Sequence, residues 1–316
     1  MKGNLLCCLL SLLVYNLPAQ PVQHRPGKSH LKTSLNAYSF SKLLNDELKN
    51  PGSGMSMEGL LEFAAVHNFD AVDLTGYYFP GYPNKPSYAF IHNIKRKAFL
   101  LGLDISGTGV RNDFAHPDPQ KRAADVQLVK DWIDVAQLLG APVVRIFSGN
   151  MPAGFENKRD SILAYMAESI KECVSYAKKK GILIGVQNHA DFLKTADETI
   201  QLLKLVNSEW FGVVVDIGSF VTADPYKDVE KIMPYAVNFQ FKESLFSATN
   251  SVKTDVGRIL AIVRKSGYRG YLPIETLPQV RNNQKIAYDP VARVPGFLSE
   301  IKAGIKAREQ QKIPKE

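Results

Sequence analysis

Sulfur and imidazole are both scarce in this chain. Its 316 residues include three cysteines and six histidines. Two of the cysteines, Cys7 and Cys8, stand in the apolar run from Leu5 to Val14. If that run is removed, Cys173 alone is left, no intramolecular disulfide can form, and the core has to hold the fold. The histidines are scattered singly at His24, His30, His67, His92, His116 and His189, which argues against a histidine-dense metal centre. A glycine-rich phosphate turn is also missing. The first strand-like stretch runs on through LNAYSFSK without a glycine, against a doubly wound dinucleotide fold. No basic cluster is interleaved with aromatics in the way single-strand binders require, so the net charge of +8 does not read as a nucleic-acid surface. Lys178-Lys179-Lys180 close a predicted helix, where cations suit the dipole, and the basic end after Lys302 reads as a solvated tail.

The Leu5–Val14 run is too short to cross a bilayer as a permanent helix. With Lys2 as the only charge before it and Leu17-Pro18-Ala19 just after, residues 1–19 read as a cleavable signal peptide. The expected address is secreted or periplasmic, with no membrane anchor once the leader is gone. A polar, proline-containing segment follows over residues 20–30.

What is present is ordinary globular material, 45% hydrophobic and 22% charged. Apolar runs that end in a polar side chain alternate with amphipathic stretches. GILIGVQNHADF (181–192) is the clearest example: a buried strand running into Gln187-Asn188-His189. FGVVVDIGSF, VNFQFKES and GYLPIETL repeat the pattern after it, and LKTSLNAYSF, FDAVDLTGYYF, LDISGTGVRNDF and APVVRIFSG precede it. The helices predicted between them include Met55–Asn68, Tyr88–Gly102, Asp118–Leu139, Asp160–Lys180 and Thr195–Val206. Gly140 and Gly181 stand at two helix ends, and Thr195 with Glu198 forms a candidate capping box. Eight strand–helix units without a linker predict an α/β fold: one (β/α)8 TIM barrel over residues 31–310, with a basic tail at 311–316.

In a barrel the carboxyl ends of the strands surround one mouth, and alternate residues share a face. Gln187 and His189 therefore point together, and Asp216, Gln240 and Glu275 converge with them from strands six to eight. Two carboxylates with neutral donors suit a divalent ion, Mg²⁺ or Mn²⁺, or Zn²⁺ if His189 ligates. Lys242 is a candidate acid or base if burial lowers its pKa; otherwise it pairs with a carboxylate such as Glu243. Arg145, inward on strand four, either binds substrate oxygens or pairs with Asp73. Asn112 and Asp113 read as loop residues. Tyr77, Tyr78, Phe79 and Tyr82 are candidates for stacking on a sugar, with a packed loop as the alternative.

From about Leu31 to Leu277 the chain resembles the xylose-isomerase-like TIM-barrel family of sugar isomerases and epimerases. The features that carry the resemblance are Gln187-Asn188-His189, Val215-Asp216-Ile217-Gly218, Phe239-Gln240-Phe241-Lys242, and Gly267-Tyr268-Arg269-Gly270-Tyr271 leading into Ile274-Glu275. The resemblance implies a divalent metal held by Gln187, Asp216, Gln240 and Glu275, where the family carries Glu, Asp, His and Glu. It also implies Glu275 as an acid or base; beside the resemblance, the residues themselves make His189 and Lys242 catalytic candidates and put Arg145, Asn188 and Gln187 toward the substrate. Two ligand positions depart from the family, and Gln187 cannot take a proton. Ser219 likewise stands where family members often carry histidine. The expected partner is a small carbohydrate or keto-sugar, and the expected reaction removes a proton beside a carbonyl to give a metal-stabilised enediolate. Reprotonation then isomerises or epimerises; loss of a β substituent would instead cleave a keto-glycoside. A barrel that binds sugar without turning it over is the alternative of another class. An apurinic-site nuclease on the same barrel is disfavoured by the scattered histidines and the leader.

Overall fold

The computed structural model describes residues 29–189, 192–245 and 250–309. The leader at 1–19, most of the segment at 20–30 and the tail at 311–316 lie outside the described residues.

Each of the eight strand-like runs contains a strand, and together they close. In chain order these are Leu31–Asn36, Ala71–Thr75, Asp104–Gly109, Val143–Ile146, Leu183–Gln187, Phe211–Asp216, Ala236–Lys242 and Gly270–Glu275. Sequence neighbours pair in parallel, and the eighth strand pairs back onto the first, with Leu31 opposite Gly270 and Leu35 opposite Ile274. Closure leaves the barrel no edge. Parallel pairing needs a crossover, and helices supply it: α1 (Ser41–Lys49) and α2 (Met57–Val66) after the first strand, then α3 (Tyr88–Leu100), α4 (Pro119–Leu139), α5 (Arg159–Lys180), α6 (Ala196–Val206), α7 (Pro225–Ile232), α8 (Val256–Lys265) and α9 (Pro290–Glu309). Among the described residues no helix is long and apolar enough to cross a membrane.

The local signals act where the sequence puts them. Gly140 and Gly181 take left-handed φ of 82° and 71° at the ends of α4 and α5. Thr195 and Glu198 form a capping box on α6. One prediction is corrected: the first strand does not run to Phe40. The Asn36 side chain accepts from the Tyr38 backbone N–H and turns the chain into a short 3-10 helix, after which α1 begins.

Between barrel and helices lies a core that includes Trp132, Phe79, Phe114, Leu60 and Leu74, all essentially inaccessible. Each such side chain contributes about 1.5–3 kcal/mol by burial. Cys173 belongs to this layer, and burial pushes its thiol up to about 12. Inside the barrel the layer below the mouth is polar. Ser34 and Ser106 share a hydrogen bond of 2.8 Å, and Asn238 donates to Asp73 at 3.1 Å. A register shift at Val72/Asp73 marks this level.

Candidate functional site

A cleft of about 930 Å³ opens at the carboxyl ends of the strands. That is within the usual range for small-molecule sites. Two short hairpins build one wall: Ser244–Leu245 pairs with Val252–Lys253, and Val280–Arg281 with Gln284–Lys285. They are stitched together where the Ser251 N–H donates to the Val280 carbonyl at 2.8 Å. Neither hairpin was read from the sequence, because two-residue strands leave no periodicity.

Strands five to eight form a closed set of charges. Asp216 is fully buried, and its Oδ2 accepts from Gln187 Nε2 at 2.7 Å, Ser219 Oγ at 2.7 Å and Lys242 Nζ at 2.9 Å. Its Oδ1 accepts from the Gly218 N–H at 3.0 Å. Burial works against the Asp216 carboxylate, but the charges of Lys242 and His189 and these hydrogen bonds hold its pKa below the usual range. Lys242 Nζ also lies 3.5 Å from Glu275 Oε1. Burial penalises the ammonium, yet two carboxylates outweigh it and push the lysine pKa up. Glu275 goes the other way: burial and the nearby Asp216 raise it, with Lys242 offsetting part of the effect.

The sequence assignments sort out against this geometry. Gln187, Asp216, Gln240 and Glu275 do converge, with Gln187 Nε2 bridging Asp216 and Gln240 Oε1, the latter at 3.0 Å. Lys242 as an acid or base is corrected, since its pKa rises rather than falls. Its partner is corrected too: Lys242 meets Asp216 and Glu275, whereas Glu243 is gripped by Arg293 through contacts of 2.9 and 2.8 Å. Alternation along the strand explains this, because residues 242 and 243 face opposite ways. Asn188 as a substrate contact is also corrected. It is fully buried and exchanges two 2.8 Å hydrogen bonds with the Asp216 backbone, clamping strand five to strand six. Asn112 clamps the ends of strands three and four in the same way, through Phe147.

Strands one to four present a different surface. Arg145 lines the cleft, but it is not paired with Asp73; it donates to the Val110 carbonyl at 2.6 Å and the Tyr77 hydroxyl at 2.7 Å. Gly109 makes room for it, since a Cβ there would lie 2.9 Å from the guanidinium. Burial drives the Asp73 carboxyl up to about 6, with the Arg145 charge offsetting part of the rise. The aromatic loop divides: Tyr78 and Phe79 are buried, Phe79 edge-on to Trp132, while Tyr77 faces the cleft under Arg111. His189 lines the cleft on the same side as Gln187 and packs edge-on against Phe147. Sequence reasoning passed over Arg111, whose only signal was its place just past the third strand.

Asn36 and Gln187, which both line the cleft, carry buried polar atoms, Nδ2 and Oε1, that meet no partner among the described residues. A buried donor and a buried acceptor left open in this way suit a ligand that both gives and takes hydrogen bonds, as a polyhydroxylated molecule does. The divalent ion implied by the resemblance fits the same residues poorly. The Asp216 oxygens are filled by N–H and O–H donors, and a fixed ammonium stands between the two carboxylates. Among the described residues no group of three or more His, Cys, Asp or Glu is arranged around a metal position.

Comparison with known proteins places the whole assembly. An uncharacterised protein of Methanocaldococcus jannaschii is 27% identical over 187 residues, 56% of this chain and 61% of that protein. The match therefore spans less than two thirds of the relative's length. Three solved structures share the barrel along nearly their full length. D-psicose 3-epimerase from Clostridium cellulolyticum is 14% identical, over 88% of this chain and 98% of its own, with a TM-score of 0.66. A 3-keto-D-glucoside 4-epimerase from E. coli is 10% identical, over 87% and 100%, with a TM-score of 0.65. A xylose isomerase domain protein from Planctomyces limnophilus is 15% identical, over 90% and 99%, with a TM-score of 0.64. At these identities the likeness is one of fold. The sequence match is the stronger finding: residues 61–290 fit the profile of the xylose isomerase-like TIM barrel, and with the closed eight-stranded barrel this makes the chain a member of that family.

Proposed function

We propose that this protein is a carbohydrate-converting enzyme of the isomerase or epimerase type, which moves a proton at a carbon next to a carbonyl. The observation that carries the reading is the pairing of a carboxylate with an ammonium at the cleft wall: Glu275 Oε1 and Lys242 Nζ, 3.5 Å apart and both lining the same space. A proton beside a carbonyl leaves only if a base takes it while the oxygen's growing negative charge is stabilised. Glu275 is the base. It takes the proton, the C–H electron pair becomes the C=C of an enediolate, and the carbonyl π pair moves onto oxygen. Return of a proton to the same or the neighbouring carbon completes epimerisation or isomerisation.

Gln187 cannot share this work, because an amide takes no proton at physiological pH. His189, on the same side of the cleft as Gln187, is the group placed to exchange a proton from another direction. Asn36 Nδ2 and Gln187 Oε1 hold hydroxyls of the substrate. Keto-sugars, free or as glycosides, are the substrate class this favours, in keeping with the psicose and keto-glucoside epimerases that share the fold. Export through the 1–19 leader belongs to the same reading, and N-terminal sequencing of the mature protein tests it.

Proton abstraction leaves a trace that does not depend on the final product. Ketohexoses and 3-keto-glucosides incubated with the protein in D₂O should gain deuterium at the carbon next to the carbonyl, followed by NMR. Glu275→Gln should slow that exchange by about 10²–10⁴-fold and leave the fold intact. Exchange that is absent with every keto-sugar, or indifferent to Glu275→Gln, removes the proposal.

A further inference from the structure

The position of one lysine bears on how the oxyanion is stabilised. Lys242 ends strand seven, two residues beyond Gln240 and on the same face. Its ammonium lies 2.9 Å from Asp216 Oδ2 and 3.5 Å from Glu275 Oε1, between the two carboxylates expected to bracket a metal. The residues around it are shaped to admit it. Gly218 follows strand six where the lysine stem passes, and a Cβ there would sit 2.6 Å from Lys242 Cδ and 2.9 Å from the Ser244 carbonyl. No side chain fits at 218 while the lysine lies as it does.

The neighbouring positions agree with an internal cation. Gln187 and Gln240 are neutral, and the Gln187 Nε2 donates to both Asp216 and Gln240. Donors aimed at the carboxylate are what a site without a metal requires; a metal would demand lone pairs there instead. A divalent ion added beside the ammonium would set three positive charges against the two carboxylates in a largely buried site. That excess is strongly unfavourable away from water.

We infer that Lys242 takes the place of the divalent ion: its ammonium, fixed between Asp216 and Glu275 and open to the cleft, is the positive charge that stabilises the oxyanion during proton transfer. The inference rests on the proton-transfer reading above. Asp216 is then a positioning residue, holding the ammonium from behind, and Glu275 and Lys242 act as one base-and-electrophile pair. The remaining contact of Lys242, toward the cleft, is the one a substrate oxygen fills.

The test uses the purified full chain and has a readout independent of turnover. Metal content is measured by plasma mass spectrometry, and Mn²⁺ and Zn²⁺ binding by calorimetry, on wild type and Lys242→Ala. Wild type should contain no stoichiometric divalent ion, and EDTA should change neither its thermal midpoint nor its deuterium exchange. Lys242→Ala should lose about 10²–10³-fold in exchange rate. Mn²⁺ binding should stay absent in it, because Gln187, Ser219 and the Gly218 N–H still fill the Asp216 oxygens. A wild-type protein that holds a stoichiometric ion, and loses it in Asp216→Ala, overturns the inference, and so does exchange abolished by EDTA. These arms need only wild type and Asp216→Ala, so they decide even if Lys242→Ala does not fold. If no keto-sugar exchanges at all while the chain stays metal-free, the proton-transfer reading fails instead.

Discussion

The two halves of the barrel mouth are built on different principles. Strands five to eight carry charge in a closed circuit: Asp216 receives four hydrogen bonds, Lys242 touches two carboxylates, and Gln187 joins Asp216 to Gln240. Strands one to four and their loops offer two arginines, Arg111 and Arg145, with tyrosines and an amide, held by neutral carbonyls and by ring faces. In the first half every group is the condition of another's stability. In the second, Arg145 and Tyr77 lean on each other and on the Val110 carbonyl, and the supports of Arg145 carry no charge of their own. On the proposed reading, the chemistry that depends on fixed charge falls to the first half, and recognition of a neutral polar molecule to the second.

Removing Asp216 should break the comparison most severely. Asp216→Ala leaves Lys242 facing Glu275 alone and strips acceptors from Gln187, Ser219 and the Gly218 N–H. Breaking a buried pair from one side costs about 3–5 kcal/mol, read as a drop in the urea midpoint. Because Lys242 and Asp216 share one contact, Lys242→Met should cost less in the Asp216→Ala background than in the wild type. If the double variant is less stable than the single one by the full effect of Lys242→Met alone, the circuit is not coupled as described.

Asp73 sharpens the contrast, since it is a buried acid held by a neutral amide, Asn238, with the Arg145 charge offsetting only part of its desolvation. Burial raises its carboxyl to about 6, so folding favours the protonated form. Stability from this residue is complete below its ordinary value of 3.8 and is lost as pH rises through about 6. A shift of that size corresponds to about 3 kcal/mol. Asp73→Asn keeps an oxygen for Asn238 and cannot ionise, so it should stabilise the protein above pH 6 and leave it nearly unchanged in acid. The thermal midpoints of the two proteins, followed across that range, should diverge as pH rises. Curves that stay parallel would show that Asp73 does not titrate in this way.

Much of this was written in the chain in plain form. Apolar runs such as Val213-Val214-Val215 ending at Asp216 marked both the strands and their functional ends, because burial on both faces demands such runs and the mouth is where polarity returns. The convergence of Gln187, Asp216, Gln240 and Glu275 followed from strand order alone. The partners of Lys242 did not. Adjacency favoured Glu243, whereas the contacts are with neighbouring strands and required the closed sheet to see. Asn188 was misread for a related reason: it stands between two cleft-facing residues, and alternation turns it away from the cleft and onto the Asp216 backbone. The α1 helix was hidden by one local hydrogen bond at Asn36.

The smallest effect is expected from the half that recognises. Tyr77 donates its hydroxyl proton to the Val110 carbonyl at 3.2 Å and accepts from Arg145 Nη2 at 2.7 Å, while Arg111 lies 4.7 Å over its ring. Tyr77→Phe keeps the ring and its cation contacts but leaves one Arg145 N–H to find water in the cleft. A neutral hydroxyl of this kind contributes about 0.5–1.5 kcal/mol, so the thermal midpoint should fall only slightly. Arg145 no longer has its second anchor, and its freedom should appear in KM, as a change of a few-fold, with kcat held. Steady-state kinetics on a responsive keto-sugar separates the two parameters. Were kcat to fall as far as it does in Glu275→Gln, Tyr77 would belong with the charged half, and the division of the mouth into a reacting side and a recognising side would have to be abandoned.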